Sequence, residues 1–221
     1  MKNEHVNVIG GGLAGCEAAY QIAKNGIKVK LYEMKPIKYS PAHSNPDLSE
    51  IVCSNSFKSN LLTNACGLLK EELRMLDSLL IKIADKTSVP AGQALAVDRE
   101  EFSRKVTECI RSNPNIEVIN QEVLEIPKDE ITIIATGPLT SEGLFAEISR
   151  IIGGEELHFY DAAAPIIEKD SINMDVAFIG DRYGKGDADY INLPMNKEEY
   201  EKFWNELVNA EIAKLHDFEK R

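Results

Sequence analysis

Gly10, Gly12 and Gly15 in "VIGGGLAG" stand in the G-x-G-x-x-G spacing, and Glu33 follows 23 residues after Gly10. Between a strand and a helix, that spacing binds a dinucleotide. Gly10 permits the tight turn, Gly12 lets the backbone approach a pyrophosphate, and Gly15 lets the helix pack on the sheet. Gly11, Leu13 and Ala14 complete the turn and the first helical positions, whose free N–H groups and positive partial charge favour phosphate. Glu33 can accept hydrogen bonds from ribose hydroxyls, and its charge disfavours a 2′-phosphate, so the expected ligand is FAD or NAD rather than NADP. The plain alternative is a glycine-rich turn with no ligand.

The second group with chemical potential is a thiol. Cys53 lies in "EIVCSNSFKSN" among serines and asparagines, with Phe57 as the apolar anchor. Ser54, Asn55, Ser56 and Lys58 are donors able to stabilise a thiolate, which is the nucleophilic form of cysteine. A loop cysteine with no task is the alternative. Cys66 and Cys109 fall in helical patterns and read as small core residues. The four cysteines are far apart, with no C-x-x-C pair and no histidine at ligand spacing, so neither a metal site nor a disulfide framework is expected. His5, His43, His158 and His216 are scattered and read as surface or structural residues.

These groups need elements to hold them. "HVNVIG" reads as a buried strand, "GGLAGCEAAYQIAKNG" as a helix that Gly26 ends, and "KVKLYE" as the next strand. Residues 34–62 read as a long irregular connection, which is uncommon unless functional. Leu69, Leu73, Leu76, Leu80 and Ile83 recur at helical spacing and read as one core face. "SVPAGQALAVD" suggests a strand pair, and Asp98 with Glu101 three residues on suggests an N-cap and capping box opening the helix "REEFSRKVTECIRS". "IEVIN", "EVLEI" and "ITIIATGP" read as strands. From residue 157 the texture changes, and Asn196 with Glu199 caps a helix carrying Tyr200, Phe203, Trp204, Leu207, Val208, Ile212 and Leu215 on one face. The expected domains are 1–162 and 163–221.

The 221 residues are 43% hydrophobic and 28% charged, as in an ordinary globular protein. A net charge of −11 argues against a generally sticky nucleic-acid binder, though not against a local basic groove. No run approaches the roughly 18 apolar residues of a membrane span, and the N-terminus lacks a signal peptide's apolar core. A cytoplasmic location and no membrane partner are expected.

Taken in order, "GGGLAGCEAA", "YEMKP", "CSNS", "ALAVDREEFS", "ATGPLTS", "YDAAAPI" and "DYINLPMNKEEYE" resemble the bacterial folate- and FAD-dependent tRNA (uracil-5-)-methyltransferase family, from Val6 to Lys220. A larger flavoprotein relative that modifies wobble uridines shares this fold and is the nearest competitor. The resemblance implies an α/β fold, an FAD-binding, Rossmann-like, doubly wound sheet with the start of a second, inserted domain. It favours FAD over NAD: "TIIATGP" is similar to a strand that many flavoproteins carry beside the cofactor, which makes Gly137 a further cofactor contact. It also implies transfer of the one-carbon unit of methylenetetrahydrofolate to C5 of a T-loop uridine in tRNA, with NADPH reducing the flavin. Uracil C5 is a poor nucleophile until a thiolate adds at C6, and Cys53 matches the family's loop cysteine. Lys35, Lys38 and Lys58 are the basic residues expected near RNA or a folate tail, with solvated surface lysines as the alternative. Members of that family are about twice this length, with a C-terminal segment completing the flavin domain and a second cysteine expected just past "HDFEKR". The partners expected are therefore tRNA, folate and NADPH, together with a missing C-terminal half or a homo-oligomer. Two other readings stand beside this one: an FAD-dependent oxidoreductase with no RNA substrate, and a non-catalytic fragment that needs the other half.

Overall fold

The computed structural model describes residues 5–153, 167–182 and 185–211. The chain divides into two compact units, Met1–Ala164 and Pro165–Arg221. The expected boundary at residues 162–163, the "YDAAAPI" segment, His158, His216, and the helical positions Ile212 and Leu215 lie outside the described residues.

In the first unit, β1 (His5–Ile9) and β2 (Lys28–Glu33) pair in parallel around α1 (Leu13–Lys24). Cys16, Ala19 and Ala23 are the buried face of α1 beyond its first turn, and their small side chains let the helix lie close to the sheet. The helix ends before Gly26, whose φ of 78° reverses the chain into β2. Strand β6 (Ile116–Asn120) adds in parallel to β2, and β7 (Thr132–Ile134) adds in parallel to β1, giving the order β6-β2-β1-β7. The direction of strand addition reverses at β1. In such sheets ligands bind outside the carboxyl ends of the strands at that reversal.

A smaller antiparallel sheet, β3-β5-β4, is built from Ser56–Ser59, Ala94–Val97 and Ser88–Val89. The expected helix after it is α4 (Arg99–Arg111), with the Asp98 carboxylate accepting from Glu101 N–H at 2.9 Å. Only half of a capping box forms, because the Glu101 carboxylate pairs with Arg104 and Lys105 instead. Phe102, Val106 and Ile110 of α4 are fully buried. Burial of a side chain such as Phe102 stabilises by about 1.5–3 kcal/mol. Phe57 of β3 packs on it with ring centroids 5.6 Å apart, which ties the segment after Cys53 to the core.

Three expectations are corrected. The leucine pattern 69–83 is two helices, α2 (Ala65–Met75) and α3 (Leu79–Lys86), separated where Asp77 takes a φ of 64°. Ser78 caps α3, and the Glu17 carboxylate of α1 accepts from Ser78 Oγ, Leu79 N–H and Leu80 N–H at 2.8, 3.2 and 3.0 Å. Leu80 and Ile83 therefore enter the core, whereas Leu69 and Leu76 are 56% and 69% exposed. "EVLEI" is not a strand: β6 is the edge of its sheet, and among the described residues no strand lies beyond it to pair with residues 122–126. The connection 34–62 is not wholly irregular, since it contains β3. Sequence periodicity also missed α5 (Glu142–Ile152), which Ser141 caps and Gly153 ends with a φ of 72°.

The second unit contains an antiparallel hairpin, β8 (Phe178–Arg182) with β9 (Lys185–Asn192), and α6 (Lys197–Val208). The expected cap of α6 is complete: Asn196 Oδ1 accepts from Glu199 N–H at 2.9 Å, and the Glu199 carboxylate accepts from Asn196 N–H at 2.8 Å.

Candidate dinucleotide and thiol sites

A cleft opens at the carboxyl ends of the parallel strands. Its lining includes Gly10, Gly11 and Gly12 after β1, Glu33 at the end of β2 and Lys35 after it, Gln121 after β6, and Ala135 and Thr136 after β7. His43, Ser49 and Glu50 of the connecting loop complete one wall.

The glycines of the turn answer to different demands. Gly10 has a φ of 104°, and a Cβ there would stand 2.7 Å from the Ala135 carbonyl oxygen. A Cβ on Gly15 would stand 1.8 Å from the Gly10 carbonyl oxygen, so the protein itself excludes any side chain at either position. Gly12 is different. Its φ of −75° suits any residue, and a Cβ there meets nothing within 4 Å. Among the described residues no neighbour requires glycine at this point; a ligand approaching the backbone would. The first turn of α1 has no side-chain cap and no acidic residue, so its N–H groups and the positive end of the helix are available to an anion. Leu13 packs against the core, and the Ala14 side chain is exposed.

Glu33 is 8% exposed and does more than face a ribose. Its two carboxylate oxygens accept from Gly11 N–H and Lys35 N–H, both at 2.9 Å. A carboxylate has about four acceptor sites, so capacity for ribose hydroxyls remains. Gly137 stands apart from the cleft lining, with a φ of 64° at the start of a short 3-10 turn, while its neighbours Thr136, Leu139 and Thr140 line the cleft.

The loop following β2 is pinned from several sides. Lys35 is 3% exposed, and its ammonium donates to the carbonyls of Asn45 and Asp47 at 2.9 and 2.6 Å and to Glu50 at 3.2 Å. That corrects the expectation of Lys35 as an RNA or folate contact: three acceptors hold it inside. Lys38 is bound to Glu122 at 2.7 Å. Burial would raise the Glu50 pKa, but N–H groups of Ser44 and Asn45 and the Lys35 ammonium outweigh it and hold the carboxyl below its ordinary value. Burial, and then Lys35, hold the His43 imidazole below its ordinary value, which keeps it neutral at pH 7. Ser49 N–H donates to the Gly11 carbonyl at 2.9 Å, joining this loop to the glycine turn.

Cys53 is exposed and does not line the cleft. Of the donors expected around it, the Asn55 amide is engaged elsewhere, and the Ser54 and Ser56 hydroxyls act as acceptors of backbone N–H groups. Asn55 Nδ2 donates to the Val97 carbonyl at 3.0 Å, Ser54 Oγ accepts from Ser56 N–H at 3.2 Å, and Ser56 Oγ accepts from Lys58 N–H at 3.0 Å. Lys58 sits with a φ of 65° where the β3–β5 register shifts, a bulge of the kind found beside functional sites. Lys70 is buried, and its ammonium donates to the carbonyls of Phe57 and Cys66 at 2.8 and 2.7 Å, fixing β3 from below. Cys16, by contrast, is fully buried, and burial pushes its thiol up to about 12. Among the described residues, no group of three His, Cys, Asp or Glu side chains is arranged to hold a metal, and no helix is long and apolar enough to cross a membrane.

Sequence reasoning missed Ser49, His43 and the Lys35–Glu50 pair as parts of the cleft. The long, polar, irregular stretch was the signal for a functional loop, but nothing local in it indicated which residues turn inward.

Residues 5–221 match the family described as GIDA, glucose inhibited division protein A. Over 217 residues the chain is 63% identical to the methylenetetrahydrofolate–tRNA-(uracil-5-)-methyltransferase TrmFO of Acetivibrio thermocellus, covering 98% of this chain and 50% of that one. The enzyme of the same description from Fusobacterium nucleatum is 62% identical over 217 residues, with the same coverage. The chain spans about half the length of the curated relatives it matches. Among solved structures, GidA of Aquifex aeolicus aligns with 57% of this chain and 21% of its own, at 21% identity and a TM-score of 0.45.

Proposed function

The chain belongs to the glucose inhibited division protein A family, and on that footing we propose that it is the N-terminal half of a folate- and FAD-dependent enzyme that methylates C5 of a T-loop uridine in tRNA. The observation that carries the cofactor assignment is Gly12, a glycine that no neighbour among the described residues requires, at an uncapped helix N-terminus beside the strand-order reversal. The relatives' description supports the one-carbon donor and the tRNA substrate.

In this reading, residues 10–15 receive the FAD pyrophosphate, Glu33 receives the adenosine ribose, and the turn at Gly137 lies next to the flavin. When bound, FAD supplies carriage of the one-carbon unit and reducing equivalents, the latter from NADPH. The chain's own residues bind and orient it. Cys53 supplies the thiolate: its sulfur bonds to uracil C6, the displaced π electrons move onto the C4 carbonyl oxygen, and the resulting enolate makes C5 nucleophilic. After C5 takes up the one-carbon unit and gives up its proton to a base, two electrons from the reduced flavin would bring that carbon to the methyl level, and expulsion of the Cys53 thiolate restores the ring. Exposure of Cys53 suits a partner as large as tRNA.

The relatives' greater length and the edge of β7, which no other strand among the described residues pairs, support completion of the sheet by further polypeptide. Ile133 and Ile134 of that strand are 36% and 41% exposed, although strands of parallel sheets are ordinarily covered. Action on tRNA places the enzyme in the cytoplasm. The test is label transfer from methylenetetrahydrofolate to tRNA by the native protein: Cys53→Ala abolishes transfer and keeps flavin. Transfer retained by that variant would sink the assigned role.

A further inference from the structure

We infer that the Ser49 hydroxyl is a ligand-binding group, which hydrogen-bonds an oxygen of the dinucleotide at the glycine turn, either on the pyrophosphate or on the adjoining ribose. The inference rests on the dinucleotide reading above and assigns it a residue outside the glycine motif.

Ser49 is 1% exposed, lines the cleft, and has a φ of 54°, a left-handed conformation that a serine adopts at a cost in strain. Its N–H donates to the Gly11 carbonyl at 2.9 Å, and its carbonyl lies 3.4 Å from Ser103 Oγ, whose single proton goes to the Arg99 carbonyl at 2.9 Å. Among the described residues, its Oγ has no hydrogen-bond partner. The Ser49 hydroxyl is close enough to pull the Cys16 thiol down, second only to the opposing effect of burial, but that thiol directs its proton to the Gly11 carbonyl at 3.3 Å and is held protonated by burial. A thiol is a poor partner for a buried hydroxyl. A strained, buried serine of the cleft wall whose hydroxyl has no partner among the described residues is what a ligand contact looks like before the ligand arrives.

The neighbours narrow the chemistry. Both Glu33 oxygens already accept backbone N–H groups, and the nearest ammonium, on Lys35, is engaged with the loop. The Ser49 hydroxyl is thus the uncommitted side-chain donor beside Gly11. It can donate to a phosphate oxygen or exchange a hydrogen bond with a ribose hydroxyl.

The test compares FAD, ADP and adenosine affinities, read by fluorescence or calorimetric titration, for the native protein, Ser49→Ala and Ser49→Gly. Both variants should bind FAD about tenfold or more weakly, the loss expected for a hydrogen bond to a charged group. The melting temperature of the ligand-free protein should hold or rise, because an unpaired buried hydroxyl has gone. Glycine accepts the left-handed φ freely, so Ser49→Gly answers the question even where alanine impairs folding. A loss seen with ADP and not adenosine assigns the contact to phosphate, and a loss with both assigns it to ribose. Unchanged FAD affinity in the variants overturns the inference and leaves the dinucleotide reading standing. Failure of the native protein to bind any of the three overturns the reading itself, and the inference with it.

Discussion

The backbone N–H of Gly11 donates to the Glu33 carboxylate at 2.9 Å, so the residue that closes β2 also holds the turn that closes β1. The second oxygen of Glu33 takes Lys35 N–H at the same distance. One buried carboxylate therefore sets the positions of both chain segments that frame the cleft, before any ligand is bound.

Replacing Glu33 by alanine removes the acceptor of two buried N–H groups and should destabilise the fold by about 2–4 kcal/mol, seen as a lowered melting temperature. Glu33→Gln keeps one acceptor oxygen and should lose less. Flavin affinity should fall in both. An alanine variant with native stability would remove Glu33 from this role.

The Lys35–Glu50 pair makes the loop wall sensitive to acid. Glu50 has its folded pKa depressed, so its contribution is present above its ordinary value of 4.5 and is lost as pH falls through the lower, folded value. Hydrogen exchange at residues 44–50 should accelerate below about pH 4.5, ahead of exchange in β1 and α4. Lys35→Met leaves Glu50 without its cation in a largely buried site and should cost about 3 kcal/mol. Adding Glu50→Gln should restore part of it. Uniform exchange across the unit at low pH would contradict the local coupling.

Much of this site was legible locally, and the rest was not, for physical reasons. The strand–glycine turn–helix unit and the cap at Asn196 are short-range signals that formed as read, while Asp98 caps its helix without the return bond from Glu101. The Leu69–Ile83 periodicity continued without interruption through a chain reversal, because period alone carries no sign of Asp77 turning left-handed or of Glu17 capping α3 from another helix. "EVLEI" alternates as a strand does, but alternation does not create a partner beyond a sheet edge. Ser49 and Lys35 were unreadable as cleft residues because their roles depend on contacts folded together across the loop.

Thiol reactivity should separate the cysteines by environment. Cys16 is fully buried with its thiol pushed up to about 12, whereas Cys53 is exposed. At pH 8 an alkylating reagent followed by mass spectrometry should label Cys53 at least about a hundredfold faster than Cys16 in the folded protein. Denaturation should equalise them. Comparable native rates would mean that Cys16 is not sealed beneath the glycine turn.

The most direct measurement on the central claim is a flavin titration of Gly12→Ala beside the native protein, with melting temperatures of both recorded ligand-free. A Cβ at Gly12 has open space around it, so the variant should melt at or above the native temperature and lose FAD binding by about a hundredfold, because the methyl group occupies the phosphate's approach. Gly15→Ala serves as the opposite control: its Cβ would fall 1.8 Å from the Gly10 carbonyl oxygen, so it should unfold the unit outright. Native flavin affinity in a fully folded Gly12→Ala protein would contradict the account.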